Sequence, residues 1–158
     1  SEMCIRDSPY TVAYQTQLLQ IQKYDRVLEV GTGSAYQAVV LATLGAQVYT
    51  IERQRKLFDS NKEFSWLQKQ PSIKFFYGDG YQGLPTYGPF DKILITAAAP
   101  YVPTALLEQL KVGGWMVVPV GEGNVQQMRK ITKRQDGSML EEYFDEFSFV
   151  PMLSGKES

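Results

Sequence analysis

Two glycines, Gly31 and Gly33, flank Thr32 at the end of the β-rich run Arg26-Val-Leu-Glu-Val30, in the turn Glu29-Val30-Gly31-Thr32-Gly33. Glycine lets the backbone turn sharply and lets a ligand approach it closely, and a helix that follows offers unpaired amide hydrogens. The turn therefore suits a nucleotide-like ligand, or else serves backbone geometry alone. The dinucleotide fingerprint needs a third glycine three residues after the second. That position is Tyr36, which counts against a pyrophosphate.

Acidic residues stand at related places. Glu29 precedes the turn, and Glu52 ends a second β-rich run about twenty residues later, where an acid can accept hydrogen bonds from ribose hydroxyls. Asp79, between Gly78 and Gly80, ends a third run and could accept a bond from an adenine amino group. Each has a plainer reading: Glu29 and Glu52 as solvated strand-end charges, Asp79 as a turn residue. Taken together, the three acids suit a ligand with ribose, adenine and a positive centre better than a polyphosphate. Each like-charged pair costs roughly a few kcal/mol at an effective dielectric near 20. S-adenosyl-L-methionine has those parts.

The elements that must position these residues alternate. Pro9 opens a helix predicted over about 9 to 23, with Ser8 as its cap. The run to Val30 is a strand, and Ala35, Ala38, Val39 and Ala42 continue as a helix up to Gly45. Gln47-Val-Tyr-Thr-Ile-Glu52, Ile73-Lys-Phe-Phe-Tyr77 and the run from Phe90 to Thr96 are further strands. Leu57, Phe58, Phe64 and Leu67 form a helical stripe before Pro71. Pro103 starts a helix through Leu106, Leu107 and Leu110 that Gly113 and Gly114 end, and Trp115-Met-Val-Val118 returns to strand. After Gly121, residues 126–134 and 139–150 read as an antiparallel hairpin around Asp136-Gly137. The pattern is α/β: a doubly wound, Rossmann-like, mostly parallel sheet with a carboxyl-terminal antiparallel hairpin.

Composition agrees. The chain has 158 residues, 44% hydrophobic and 21% charged, as expected for one folded domain. Sixteen basic residues against seventeen acidic ones give no electrostatic reason to expect nucleic acid as a partner. Cys4 alone cannot form an internal disulfide, and no apolar run approaches the ~20 residues of a membrane span, so a cytoplasmic location is expected. Residues 1–8 resemble a translated sequencing-adapter scar, which would leave 9–158 as the single native domain.

At this point the motifs become recognisable. Glu29-Val-Gly-Thr-Gly-Ser-Ala-Tyr-Gln37, Gly78-Asp-Gly80, DKILITAAAP (91–100) and LKVGGWMVVPVG (110–121) resemble successive motifs of protein-L-isoaspartate O-methyltransferases, and Phe149-Val-Pro-Met-Leu153 resembles the family's closing segment. The first motif is shared by many methyltransferases, whereas Thr96-Ala-Ala-Ala-Pro100 is closer to this family. The resemblance implies methyl transfer from S-adenosyl-L-methionine to the α-carboxylate of isoaspartyl residues in damaged peptides and proteins, leaving S-adenosyl-L-homocysteine, in a monomer without a membrane partner. Carried over by motif, Gly31, Thr32, Gly33 and Ser34 would cradle the methionine part, Glu52 the ribose, and Asp79 with Gly80 the adenine. Glu29, Gln37 and Arg53 join the cofactor set. Thr96 and Ala97 would border the transferred methyl, and Ala98, Pro100 and Tyr101 would face the substrate. A carboxylate acceptor, with a pKa of roughly 3 to 4, needs neither general base nor metal, which suits a chain with no histidine.

Three departures bear on activity, the first being that family members usually carry a longer amino-terminal region. Ala35 stands where the family commonly has glycine. Asp7 stands where it has a functional serine, and its charge would repel the acceptor carboxylate by ~1 to 4 kcal/mol at about 4 Å. The chain is therefore expected to bind cofactor better than it methylates. Two further features take plain readings: the basic cluster Arg129, Lys130, Lys133 and Arg134 as a charged edge strand, and most aromatic residues as core or rim.

Overall fold

The computed structural model describes residues 8–158. Helix α1 (Pro9–Leu19) opens with proline in its first turn, where the missing N–H would be unpaired anyway. It stops short of residue 23 because Gln20 turns left-handed (φ 48°) and returns its amide to the Thr16 carbonyl. Strands β1 (Arg26–Val30), β2 (Gln47–Glu52) and β3 (Ile73–Tyr77) coincide with the predicted runs, and β4 (Phe90–Ile95) ends one residue before Thr96. Between them lie α2 (Tyr36–Thr43), α3 (Arg55–Lys62) and α4 (Ser65–Gln68). The stripe from Leu57 to Leu67 is thus split between two short helices. Of its four residues only Leu67 is fully buried.

A larger correction concerns residues 103–114. Helix α5 (Thr104–Leu107) is a single turn, and Leu110 begins the long strand β5 (Leu110–Val120) instead of continuing a helix. Leu110 pairs with Phe90, whose amide donates to the Gln109 carbonyl at 2.8 Å, so β4 captures this segment. Residues 111–114 then bulge before pairing resumes at Lys92 and Trp115. Gly114 passes so close to β4 that a Cβ there would lie 2.3 Å from the Asp91 carbonyl oxygen. The glycines serve a strand irregularity, not a helix end.

Among the described residues the sheet has seven strands in the order β3-β2-β1-β4-β5-β6-β7, with β6 (Gln126–Lys133) and β7 (Met139–Phe147) antiparallel to their neighbours and the rest parallel. This is the doubly wound, Rossmann-like arrangement. The order reverses at β1, so the ligand crevice falls at the carboxyl ends of β1 and β4. Both faces are covered. Leu28, Ile93, Ile95 and Met116 pack on one side, Val27, Leu94 and Val117 on the other.

The hairpin turn is fixed by the Asp136 carboxylate, which accepts from the backbone N–H and hydroxyl of Ser138. Strand β6 is interior, so its basic residues do not form a charged edge. Arg129 approaches Glu141 on β7, Lys130 lies over the Trp115 ring, and the Lys133 ammonium donates to the carbonyls of Leu107 and Leu110. The edge is β7, and its acidic residues Glu141, Glu142, Asp145 and Glu146 discourage strand addition. No helix among the described residues is long and apolar enough to cross a membrane.

At the amino ends of the strands, Lys92 is buried with its ammonium 2.5 Å from Asp25 and 4.4 Å from the Trp115 ring. The Trp115 indole N–H reaches the carbonyls of Leu18 and Leu19, which locks α1 onto β5. Asp25→Ala would strand the Lys92 charge in the interior. It is expected to lower unfolding free energy by roughly 3 kcal/mol in urea titration, and a loss under about 1 kcal/mol, as for an exposed pair, would contradict this packing.

Candidate active site

The turn after β1 is held at every step. The Gly31 amide donates to the Ile51 carbonyl, extending the β1–β2 ladder by one bond. Gly31 has φ +102°, and a Cβ there would lie 2.5 Å from the Thr96 hydroxyl oxygen, so both conformation and space exclude a side chain. Thr96 sits one residue beyond β4 with its hydroxyl 3.0 Å from the Val30 carbonyl and 2.8 Å from that of Gly31. This ties the end of β4 to the turn.

Behind the turn runs a buried polar chain. The Thr50 hydroxyl donates to Glu29 at 2.6 Å, and the hydroxyls of Thr50 and Thr32 are also 2.6 Å apart. Thr50 spends its only proton on the carboxylate, so Thr32 is the donor in the second bond. Glu29 is fully buried, not a solvated strand-end charge. Glu52 accepts the Gly33 amide on one oxygen (2.9 Å) and the Gln54 amide on the other (3.0 Å). The Asn61 side chain donates to the Gly33 carbonyl at 3.0 Å. Ala35 occupies a left-handed conformation (φ 69°), a strain of about 1 to 2 kcal/mol for a residue with a Cβ, while its methyl is packed into the core.

A cleft of about 380 Å³ opens beside this turn, within the range of small-molecule sites. Gly31, Glu52, Arg53, Gly80 and Ala97 line it together with residues 150–153. The other sequence-derived residues lie behind or beside it. Thr32 and Gly33 are buried in the network, Thr96 is buried beneath the turn, and Ser34 is exposed at the start of α2. Gln37 is buried, its amide donating to the Thr16 hydroxyl on α1. Asp79 accepts the Tyr81 amide, as a turn residue does, while its neighbour Gly80 reaches the cleft. Asp7 lies outside the described residues.

On the substrate side, Ala98 is buried with both backbone groups occupied. Its amide donates to the Val150 carbonyl and its carbonyl accepts the Met152 amide, each at 2.7 Å. Pro100 and Tyr101 are exposed, and the Tyr101 ring is 6.3 Å from that of Tyr81. The Tyr81 hydroxyl donates to the Met152 carbonyl at 2.9 Å. Burial, and then the neighbouring Tyr101 and Asp79, push its phenol above the ordinary value, so it remains a donor at neutral pH.

Sequence reasoning missed two contributions. Asn61 is a single polar residue on a helix that is polar almost throughout, so nothing in its spacing sets it apart. Residues 150–153 were matched to a family motif without a role, and only the fold brings them to the cleft.

A seven-stranded doubly wound sheet with a cleft bordered by Glu52 at the β1–β4 reversal is the Rossmann-like architecture of S-adenosylmethionine-dependent methyltransferases. The chain matches the sequence profile of protein-L-isoaspartate(D-aspartate) O-methyltransferase (PCMT) over residues 4–157. It is 50% identical over 151 residues to protein-L-isoaspartate O-methyltransferase of Flavobacterium psychrophilum, and 52% identical over 149 residues to that of Christiangramia forsetii. Each alignment covers 94% of this chain and 69% of the relative. A solved protein-L-isoaspartate O-methyltransferase superposes with TM-score 0.82 at 29% identity, covering 90% of this chain and 46% of that one. A Plasmodium falciparum protein provisionally named as the same enzyme, solved with S-adenosyl-L-homocysteine, shares the fold at TM-score 0.75 and 24% identity, covering 92% and 74%. The chain belongs to the protein-L-isoaspartate O-methyltransferase family, whose methyl donor is S-adenosyl-L-methionine. Among the described residues no group of three or more histidine, cysteine, aspartate or glutamate side chains is placed to hold a metal.

Thr96→Val keeps the side-chain shape but removes the tie to the Val30 and Gly31 carbonyls. The expected result is a loss of about 1 to 2 kcal/mol in stability together with weaker S-adenosyl-L-homocysteine binding, while Thr96→Ser retains both. Thermal unfolding and calorimetry check this pair.

Proposed function

We propose that this chain transfers the methyl group of S-adenosyl-L-methionine to the α-carboxylate of L-isoaspartyl residues in peptides and proteins. The observation that carries the reading is the cleft at the glycine turn. It is lined by the Glu52 carboxylate, glycine backbone and apolar side chains, its one cationic residue, Arg53, has its guanidinium bonded to residues 154–157, and a chain without histidine supplies no imidazole base.

The residues present fit the donor. Each Glu52 oxygen already accepts one amide, and a carboxylate offers about four lone-pair sites, so capacity remains for ribose hydroxyls. A phosphate there would meet like charge. Gly80, beyond the β3 end, packs so closely on Val30 that a Cβ there would lie 2.4 Å from a Val30 methyl, and it borders the cleft where the adenine would lie, with Asp79 available to its amino group. Gly31, Thr32, Gly33 and Ser34 shape the methionine end, with Gln37 and Arg53 flanking, and Thr96 and Ala97 border the reacting methyl. The donor supplies an electrophilic methyl on a positively charged sulfur.

The chain's own work is positioning. The acceptor carboxylate is ionised at neutral pH, so no proton has to be removed before its oxygen attacks. The new O–C bond forms as the C–S bond breaks, and the electron pair left on sulfur cancels its charge. Holding acceptor and methyl in line accounts for the rate. Pro100 and Tyr101, exposed beyond the cleft, suit contact with a polypeptide. Ala98, its backbone groups engaged, contributes by fixing the segment at 150–152. The same reading has residues 9–158 act as one domain, a monomer in the cytoplasm with neither nucleic acid nor membrane as partner.

Asp7 favours a second reading, a cofactor-binding module with little catalysis. A radiolabelled methyl-transfer assay on an isoaspartyl peptide and its aspartyl counterpart separates the two. Methylation of the isoaspartyl peptide alone is expected, with Asp7→Ser raising kcat/KM by roughly fivefold or more as the like charge is removed. Binding of the donor with no transfer by either chain would overturn the enzymatic reading.

A further inference from the structure

We propose that Arg53 and Tyr81 are positioning residues for donor binding: from two sides they fasten residues 150–157 across the cleft, so that this segment forms its outer wall. The proposal rests on the methyltransferase reading above. Tyr81 is not among the donor residues named above, and Arg53, which is, acts here through the segment it holds.

The segment is laid down in two stages. Ala98 holds its first part through the bonds to Val150 and Met152. Its far end is pinned beside β2, where the Glu157 amide donates to the Arg53 carbonyl and the Glu157 carbonyl accepts the Arg55 amide, each at 2.7 Å. The Tyr77 hydroxyl reaches the same Glu157 carbonyl at 3.1 Å. Between these fixed ends, residues 150–153 turn toward the cleft opposite Ile51 and Leu57. Met152 is buried in the core, but Leu153 is 53% exposed, so apolar packing holds the wall at one residue and polar bonds hold the rest.

Side chains supply the rest. Tyr81 donates to the Met152 carbonyl from the β3 side. Arg53 spreads its guanidinium over one segment, reaching the carbonyls of Gly155 (3.4 Å) and Ser154 (3.5 Å) and the Glu157 carboxylate (3.1 Å). A planar fork of donors suits several acceptors on one segment, which an ammonium on a flexible stem does not reproduce. Glu157 is largely exposed, so the charge pair by itself contributes little, and it is the three contacts together that tie Arg53 to the segment. Arg53 was expected among the cofactor residues, and in this arrangement it acts on the donor through the wall.

Tyr81→Phe, Arg53→Lys and the double variant test this by S-adenosyl-L-homocysteine titration, steady-state kinetics and amide hydrogen exchange. Each single change is expected to weaken S-adenosyl-L-homocysteine binding and raise KM for the donor roughly threefold to tenfold, with kcat near the parental value. Exchange should accelerate at the Glu157 amide in Arg53→Lys and the double variant and at the Met152 amide in Tyr81→Phe, while exchange in β1 and β4 stays unchanged. Binding within about twofold of the parent despite faster exchange at these amides would overturn the proposal, because the segment would not be a wall of the site. Unchanged exchange at these amides, or acceleration spread through β1 and β4, would overturn it equally, because the two residues would not act on this segment in particular. If the parental chain itself bound no S-adenosyl-L-homocysteine, the donor reading would fall and take the proposal with it. Equal binding by parent and variants overturns the proposal alone.

Discussion

The site depends on one buried carboxylate. Glu52 ends β2, yet it accepts the amide of Gly33, which follows β1, and so fixes the spacing between the two strand ends that border the crevice. A backbone turn with left-handed glycines has no ladder of its own and would leave its polar groups unpaired in the interior. Glu52, Asn61 and Thr96 supply those partners, and the chain from Thr32 through Thr50 to Glu29 anchors the turn's own threonine side chain. In a medium of low dielectric such bonds strengthen one another, and a missing member costs more than its own bond. The turn is held by the protein's own groups.

That preorganisation matches the chemistry. Methyl transfer to an ionised carboxylate requires no proton relay and no metal, so precise placement is what the chain has to provide. Glu52, the acid that faces the cleft, favours a donor carrying hydroxyls over a pyrophosphate. The buried supports behind the turn, the threonine at the end of β4 and the segment at 150–157 all limit how the donor can lie, and none of them has to change charge during the reaction.

Much of this was legible in the sequence because it follows from local pattern. The runs ending at Val30, Glu52 and Tyr77 announce parallel strands, the turn at Gly31 and Gly33 announces a ligand crevice, and Asp136-Gly137 announces the hairpin. What was not legible depends on tertiary partners. Leu110 looked helical by spacing until Phe90 claimed it for β5, and the glycines at 113 and 114 looked like a helix stop until the Asp91 backbone explained them. The basic residues of β6 looked like an edge because the pattern of a hairpin does not say which strand lies outside. Glu29 offered two roles, strand-end charge or ligand contact, and burial beside Thr50 gave it a third. Asn61 and residues 150–153 lie far in sequence from the turn they support, and no periodicity connects them.

The central claim is that the Glu52-braced turn is a methyl-donor site. Calorimetric titration with S-adenosyl-L-homocysteine and, separately, with NAD, on the parental chain and on Glu52→Gln, tests it most directly. The account predicts that the parent binds S-adenosyl-L-homocysteine and not NAD, and that Glu52→Gln, unable to accept both amides and the ribose hydroxyls, binds at least about tenfold more weakly. Binding of NAD without S-adenosyl-L-homocysteine, or undiminished binding by Glu52→Gln, would contradict it.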